Sequence, residues 1–258
     1  MAGNLQLGIF STNKYIPDGV NITLKLTKSS PAFYLWAPTE ASGKNYTFKY
    51  EECYLVLKKI IVHPTILAKN EAAFKEGLTV KLPLKTTEIR TFTIPSGTFN
   101  FQSENLFGGR LPERIYVQFV DAEAFSGKIT KNPYNFQHFD VETIKTGIEE
   151  KTNYGDEMSV NFPTRYLEGY NSLFGMVAPG EDGNYIERDL YSKDGYSIFM
   201  FNILCPTTMD AFIVQKPGNV KVFAKFRNAL PQATTVIISG VFANMVEIDE
   251  GRNVKTLF

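Results

Sequence analysis

Apolar residues recur at every second position over much of the chain, which is the pattern of a half-buried β-strand. Ile115, Val117 and Phe119 form one clean example, and residues 220–226 form another. The same alternation predicts further strands at residues 22–26, 46–50, 53–57, 80–84 and 234–248. Pro83 lies inside one of these runs, and because proline cannot donate to a sheet ladder, that strand is predicted at a sheet edge.

One further strand and two helices follow from other patterns. Residues 196–203 are apolar on both faces, so this strand is predicted to be buried on both sides. Residues 65–76 are good helix formers and are followed by Gly77, a common helix stop. Residues 164–174 place their apolar side chains on one helical stripe. The sum predicts an all-β sandwich with short helices in its loops.

The composition fits a sandwich of this size. A chain of 258 residues can fold as one large all-β domain, and its core then needs no metal or disulfide. Aromatic residues make up 14% of the chain, with 21 Phe and 13 Tyr. Rings of this kind favour pleated surfaces, so they indicate wide, packed sheet faces.

The charge narrows the range of functions. The 27 basic and 27 acidic residues give a formal net charge of zero. A dedicated nucleic-acid binder normally carries a basic excess, so specific nucleic-acid binding is not expected. Zero net charge also removes long-range repulsion between identical subunits, so that dense self-association is tolerated.

Targeting and cysteine signals are weak. The N-terminal residues lack the charged and apolar regions of a signal peptide. The longest apolar tract, residues 236–248, is too short and too polar for a membrane helix, so membrane insertion is not expected. Cys53 and Cys205 are far apart and lack a C-x-x-C spacing, which predicts two buried, unpaired thiols.

Residues that carry enzymatic chemistry are sparse. The only histidines are His63, beside Pro64, and His138, between aromatic residues. Packing is the favoured interpretation of both, because a catalytic histidine needs a nucleophile and an orienting acid beside it. The two cysteines and two histidines also lack the close spacing of zinc ligands. We expect no catalytic site, metal, cofactor or small-molecule substrate.

Aromatic side chains are frequent in the predicted connections, and two interpretations remain open. Clusters of exposed rings mark contact surfaces, whereas rings tucked beneath long loops form small satellite cores. The residues concerned are Phe99, Phe101, Phe107, Phe125, Tyr134 and Phe136.

Several short blocks resemble one viral protein family in their order and spacing. The strongest blocks are Leu111-Pro112-Glu113-Arg114, Phe119-Val120-Asp121, Ala124-Phe125 and the run from Asn132 to Phe139. Weaker blocks are Leu24-Lys25-Leu26, Ile66-Leu67-Ala68, Ser172-Leu173-Phe174, Gly195-Tyr196, Ala229-Leu230-Pro231, Glu247-Ile248-Asp249 and Arg252-Asn253-Val254. Together they resemble the C-terminal part of the double jelly-roll major capsid protein (hexon) of Maverick/Polinton elements and adintovirus-like viruses.

The resemblance implies a jelly-roll β-sandwich of the viral capsid type. Residues 1–40 then form an N-terminal hairpin segment that resembles the end of a preceding jelly roll. Residues 41–258 form the jelly-roll domain itself. Subunits of this family carry two jelly rolls, whereas this chain has room for one and a little more.

The resemblance also implies partners and a location. The expected partners are further copies of the chain, as trimers, and other capsid proteins. The expected place is the virion, with assembly inside the host cell. The competing hypothesis is a non-enzymatic binding module, a lectin-type or receptor-binding β-sandwich.

Two segments are predicted to form the assembly interface. The first is the loop after the 115–119 strand, with Phe125 beside it, and the second lies near the C-terminus, where pairing inside the fold is an equal alternative. The predicted interface residues are Phe125, Asn132, Pro133, Tyr134, Asn135, Phe136, His138, Phe139, Glu247, Ile248 and Asp249.

Overall fold

The computed structural model describes most of the chain and divides it into two compact units. It describes residues 3, 5, 7–10, 12, 14–37, 39, 49–148, 157–173, 186–204 and 217–257. The main unit consists of Ser29–Tyr46 and Thr87–Phe242. The small unit consists of Met1–Lys28, Thr47–Thr86 and Ala243–Phe258.

Nine strands and five short α-helices make up the regular structure of the described residues. The strands are β1 (Val80–Ile94), β2 (Asn100–Ser103), β3 (Arg114–Asp121), β4 (Val141–Ile148), β5 (Glu157–Ser159), β6 (Ile198–Asn202), β7 (Val220–Phe226), β8 (Thr234–Ile248) and β9 (Val254–Leu257). The α-helices are α1 (Pro31–Tyr34), α2 (Pro64–Lys75), α3 (Ala122–Ser126), α4 (Leu167–Ser172) and α5 (Arg188–Lys193), and a 3₁₀ turn spans Gly8–Phe10.

The strand order is that of a jelly roll. One sheet has the order β1-β8-β3-β6, with β9 added to β8, and the other has the order β2-β7-β4-β5. The chain therefore crosses repeatedly between the two sheets, and strands near its C-terminal end pair with strands near its N-terminal end, as β8 does with β1 and β7 with β2. Eight strands in these two sets of four form the double-sheet jelly roll. The predicted fold class, an all-β jelly-roll sandwich with short helices in its loops, is confirmed.

The core of the main unit lies between its two sheets. Phe119 on β3 is fully buried, and its ring meets Phe226 on β7 edge-on at 5.3 Å between centroids. It also meets Phe199 on β6 at 6.3 Å. Edge-on ring pairs at such distances add to the stabilisation from burial. The inward positions Ile115 and Val117 of the same strand are fully buried as well.

A glycine in β8 makes room for an aromatic ring in this core. A Cβ on Gly240 would lie 2.6 Å from Cζ of Phe107, which is closer than real Cβ atoms approach a ring. The Phe107 ring then meets Phe242 edge-on at 5.3 Å. The guanidinium of Arg110 lies 5.1 Å from the centre of the Phe242 ring.

The small unit has a much smaller core. Leu82, Val246 and Ile248 are its buried apolar cluster. Arg252 adds polar support, since its guanidinium lies 4.4 Å from the centre of the Phe74 ring on α2 and pairs with Glu71. At the start of α2, Nδ1 of His63 accepts a hydrogen bond from the Thr65 N–H at 3.3 Å.

Most of the predicted elements are present. Strands occur at residues 80–84, 115–119, 198–202, 220–226 and 234–248, and β1, which contains Pro83, lies at a sheet edge. The helix predicted at 65–76 is α2, and the one predicted at 164–174 is reduced to α4, with Phe174 outside the described residues.

Three sequence predictions need correction. Residues 22–26 and 53–57 form no strand, because no neighbouring strand in the described part of the chain pairs with them. Cys53 is exposed rather than buried for the same reason, since it belongs to the unpaired 53–57 segment. Cys205 and most of the predicted 46–50 strand lie outside the described residues.

Candidate assembly surface

The loop between α3 and β4, residues 127–140, follows a strand and a helix that are held in place by specific contacts. β3 ends at Asp121, whose carboxylate accepts a hydrogen bond from the Glu123 N–H at 2.8 Å and so caps α3. α3 is followed by Gly127, which caps its C-terminus with a φ of 93°. A Cβ at Gly127 would lie 3.3 Å from the backbone nitrogen of Phe33, so glycine allows α1 to approach closely.

Backbone hydrogen bonds hold this loop against the sheet. The Phe136 N–H donates to the Gly195 carbonyl at 2.7 Å, and its own carbonyl accepts from the Ser197 N–H at 2.9 Å. The Gln137 N–H donates to the Phe119 carbonyl at 3.0 Å. With these ladder-like bonds, the loop has a fixed conformation at the end of β3.

Of the aromatic side chains predicted to form the interface here, Tyr134 is the most exposed. Its side chain is 64% exposed, and its ring meets Phe33 of α1 edge-on at 5.9 Å. Asn132 shapes the turn, since its Oδ1 accepts from the Tyr134 N–H at 2.9 Å. Pro133 is buried, whereas Phe125, Asn135 and Phe136 are half-buried.

The six loop aromatics divide between the two interpretations that the sequence left open. Phe101 and Phe107 are buried in the main core, and Phe101 belongs to β2 rather than to a connection. Phe99 and Tyr134 are exposed, at 51% and 64%.

His138 and Phe139 lie near the end of the loop and pack inward. The His138 ring stacks on Phe162, with centroids 4.0 Å apart and planes 4° from parallel. Its Nδ1 accepts from the Asp140 N–H at 3.0 Å. Burial lowers the pKa of His138, and nearby Asp140 opposes that effect only in part. Phe139 packs against the main core and has a φ of 46°, a rare conformation for a bulky residue.

A charge network fixes the outer side of the loop. Lys131 pairs with Asp121, and it also lies 2.9 Å from the carboxylate of Glu123. Lys128 lies at the same distance from Glu123. Hydrogen bonds from Lys128 and Lys131 lower the pKa of Glu123 to about 2, and the bond to Asp121 is the main cause that raises the pKa of Lys131. Each of these charged side chains has a partner of opposite charge, which indicates that the network holds the loop in place rather than taking part in catalysis.

The second predicted patch lies at the end of β8 in the small unit. Glu247 pairs with Lys81 at 3.0 Å, and Ile248 is only 1% exposed within the small core. Asp249 accepts a hydrogen bond from the Asn253 N–H at 2.9 Å, and bonds from Asn253 lower its pKa. β8 pairs with β9 here, which is the pairing inside the fold that the sequence allowed. A role for these residues in assembly stays a prediction.

A cleft beside the loop brings three of the predicted interface residues, Asn132, Asn135 and Phe139, together with residues that the sequence did not predict. It has a volume of about 350 Å³. Its lining is Trp36, Asp121, Ala124, Thr130, Lys131, Asn132, Asn135, Gln137, Phe139 and Gln232. Trp36 is the single tryptophan of the chain, which is a sequence signal that could have indicated this cleft, and its side chain is 68% exposed. The Ala37 N–H donates to the Ile129 carbonyl at 2.8 Å and holds this segment to the loop.

A second cleft, of about 290 Å³, shares Gln137 and Phe139 with the first and is lined also by His138, Asp140, Lys193, Gly195 and Ser197. The described side chains bring no group of three His, Cys, Asp or Glu residues together as metal ligands. Among the described helices, none has the length and apolar character needed to cross a bilayer.

Comparison with known sequences gives one curated relative that is distant. No protein-family model matches the chain. The uncharacterized protein F54H12.2 of Caenorhabditis elegans is 23% identical over 260 residues, which cover 98% of this chain. The chain spans 62% of the length of that relative.

Comparison with solved structures gives partial alignments to viral capsid proteins. The mavirus major capsid protein aligns with 70% of this chain and 41% of its own, at 9% identity and a TM-score of 0.45. The PBCV-1 virus capsid aligns with 74% of this chain and 54% of its own, at 10% identity and a TM-score of 0.43. The assignment of the fold itself rests on the strand order described above.

Proposed function

We propose that this chain is a structural capsid protein, a self-associating jelly-roll subunit of an icosahedral shell of the DNA-virus or Maverick/Polinton type. The observation that carries the proposal is the jelly-roll order of the two sheets. Capsid proteins and lectins are among the proteins that use this architecture. The ordered sequence blocks that resemble the double jelly-roll capsid family favour the first of these uses.

The proposed role is non-enzymatic. His63 caps a helix, and His138 stacks on Phe162 with its Nδ1 bonded to the backbone. Both histidines are thus engaged in holding local structure, which supports a structural over a catalytic role for them. We propose no cofactor, metal, small-molecule substrate, specific nucleic acid or membrane insertion.

The loop at residues 127–140 is the proposed contact with other subunits. An exposed Tyr134 ring on a backbone held by hydrogen bonds needs little further ordering when it is buried by a partner. Tyrosine is also enriched among the residues that dominate interface energetics. We propose further copies, as trimers, and other capsid proteins as the partners, and the virion as the location after assembly inside the host cell.

The domain organisation remains part of the proposal. Residues 1–40 are proposed as the end of a preceding jelly roll, and residues 41–258 as the jelly-roll domain. The interface is proposed to include Glu247 and Asp249 at the end of β8, which are both half-buried in the small unit.

The test is the mass of the purified chain in solution by light scattering, followed by electron microscopy of the same sample. Trimers or larger regular assemblies are expected, without turnover of any substrate. Tyr134→Ala should weaken association about 30-fold, the size of a hot-spot truncation of about 2 kcal/mol. Phe99→Ala, which removes another exposed ring, is the control and should leave association unchanged. A chain that stays monomeric at every concentration would contradict the proposal.

The cleft beside Trp36 favours a second candidate, a lectin-type binding module. An exposed indole beside amide side chains is a surface that suits a neutral, hydroxyl-rich ligand. Because Trp36 is the only tryptophan, intrinsic fluorescence reports on this cleft directly. Titration with a panel of neutral oligosaccharides should leave the fluorescence unchanged for a capsid subunit. Saturable quenching by a monomeric protein would favour the binding module.

A further inference from the structure

The segment Glu51–Lys59 of the small unit presents apolar side chains to solvent. Tyr54 is 81% exposed and Val56 is 80% exposed. Leu55 and Leu57 are 42% and 50% exposed. A run of this kind on a folded protein marks a surface that another polypeptide covers.

The backbone of the same segment is also without partners in the part of the chain that the structure describes. Residues 51–59 belong to no strand there, and no backbone hydrogen bond to another described residue involves them. Their sequence nevertheless alternates in the manner of a strand, with Cys53, Leu55 and Leu57 on one side and Tyr54 and Val56 on the other. An unpaired strand-forming segment is a template for pairing with another chain.

The charges of this segment are complementary to the segment itself. Glu51 and Glu52 stand at its start, and Lys58 and Lys59 at its end. If two copies run antiparallel with Leu55 opposite Leu55, Glu51 faces Lys59 and Glu52 faces Lys58. Opposite charges directly across an antiparallel pair are stabilising, whereas like charges are destabilising.

The apolar positions match in the same register. Tyr54 faces Val56 of the other copy, an aromatic and β-branched pair of the kind that stabilises sheets. Cys53 faces Leu57, so each face of the pair has an apolar centre and charged ends. If the antiparallel register shifts by one residue, only one of the two glutamates of each copy still faces a lysine. In a parallel pairing in register, Glu faces Glu and Lys faces Lys.

We propose that Glu51–Lys59 pairs antiparallel with the same segment of a second copy, around a twofold axis at Leu55. The occupant of the exposed apolar segment is thus another copy of this chain. Such a contact is isologous, with the same patch used on both subunits. The inference rests on the proposed function to the extent that a capsid subunit contacts copies of itself, and it names one of those contacts.

Cysteine crosslinking of the full chain tests the register. Cys53 and Cys205 are replaced by serine, and a single cysteine is introduced as Leu55→Cys or, as the control, as Ile61→Cys. In the proposed pair, residue 55 faces its own copy within reach of a disulfide. Residue 61, which is 99% exposed, lies about 40 Å from its own copy at roughly 3.4 Å per residue. Mild oxidation should yield at least tenfold more covalent dimer from Leu55→Cys, and equal yields would overturn the proposal.

Charge reversal tests the ion pairs without cysteine chemistry. Glu51→Lys with Glu52→Lys, and separately Lys58→Glu with Lys59→Glu, should each weaken the dimer at least tenfold. A mixture of the two variants should restore it, because every facing pair is then again of opposite charge. A mixture that stays as weak as either variant alone would overturn the proposed register.

The outcomes separate this contact from the proposed function. Larger assemblies that form without a crosslink at residue 55 would overturn the strand pairing and leave the capsid proposal standing. A crosslinked dimer that never grows further would support the pairing and contradict the capsid proposal. A monomer at every concentration, with no crosslink at residue 55, would overturn both.

Discussion

The two units of this chain have the same kind of apolar pattern and very different cores. In the main unit, inward residues such as Ile115, Val117 and Phe119 are fully buried between two paired sheets. Among the described residues of the small unit, Leu82, Val246 and Ile248 form the buried cluster, while Tyr54 and Val56 of the same unit are about 80% exposed. Alternation of apolar residues therefore predicts that a segment can form a strand, and the segment does so only where a neighbouring strand pairs with it.

The two units also differ in the contacts around those cores. Ring pairs such as Phe119 with Phe226 connect the sheets of the main unit, whereas Arg252 connects Phe74 and Glu71 in the small unit. Phe74 is buried and the Arg252 side chain is only 21% exposed, so their cation–π contact contributes about 0.5–2 kcal/mol. The ion pair of Arg252 with the more exposed Glu71 contributes about 0–1 kcal/mol. We therefore expect substitutions in the main core to have the larger effects.

The largest effect is expected for Phe119→Ala. The substitution removes a fully buried ring that touches both Phe226 and Phe199, and it leaves a cavity between the sheets. A loss of about 3–5 kcal/mol in the free energy of unfolding is expected. Chemical denaturation followed by far-ultraviolet circular dichroism measures it.

Phe74→Ala is the matched change in the small unit. Phe74 is 5% exposed but lies outside both apolar clusters, with the Arg252 guanidinium over its ring. We expect a smaller loss than for Phe119→Ala. Equal losses would show that the cores of the two units contribute equally to stability, and would contradict the expectation that the main core contributes more.

The next effect in size is expected for Gly240→Ala in β8. The added Cβ would meet the Phe107 ring, whose own position is fixed by Phe242. Overpacking of this kind typically costs about 1–3 kcal/mol. The half-buried neighbour Ser239 provides the control, since Ser239→Ala adds no atoms. A Gly240→Ala protein as stable as wild type would mean that the Phe107 ring moves without penalty.

These contacts mark the limit of what the sequence could predict. The alternation of apolar residues at 115–119, 220–226 and 234–248 was enough to predict these strands, because such alternation is a local signal of a strand with one buried face. The contact of Gly240 with Phe107 is not local, and neither is the cleft that joins Trp36 to Asp121 and Gln232. Such contacts follow from strand order, which for this chain came only from the resemblance.

The predicted site shows the same limit. Asn132 and Tyr134 lie on an ordered loop, and a turn there was readable from Asn132-Pro133 in the sequence. The burial of Pro133 and the left-handed φ of Phe139 were not readable, since both depend on what packs against the loop. The segment 53–57 shows the opposite error, in which a correct local pattern lacks a partner in the described chain.

A smaller, matched pair of substitutions compares the two cores directly. Ile144→Val in the main core and Ile248→Val in the small core each remove one methylene from a residue that is at most 1% exposed. Ile144→Val should cost about 0.5–1.5 kcal/mol in thermal unfolding. Ile248→Val should cost less, because the small core, in which the described part of the chain has three buried apolar residues, closes around the gap more easily. Calorimetry of both proteins decides the order, and a reversed order would contradict the ranking of the two cores.

The smallest effect is expected from pH, through His138 in the main unit. Burial lowers the pKa of His138 in the folded chain below its usual 6.5. The folded protein therefore binds fewer protons than the unfolded chain between these two pKa values. Stability should be fully present above about pH 6.5 and should fall as the pH drops through that value toward the folded pKa. Thermal melts from pH 8 to pH 5 measure the fall.

Two substitutions separate the titration of His138 from its packing. His138→Phe keeps a ring to stack on Phe162 and removes the titrating group, so its stability should lose this part of the pH dependence. His138→Asn keeps an oxygen to accept from the Asp140 N–H and removes the ring, so it should be less stable at every pH. If His138→Phe retains the full fall between pH 7 and pH 5, carboxylates elsewhere cause it and burial of His138 does not.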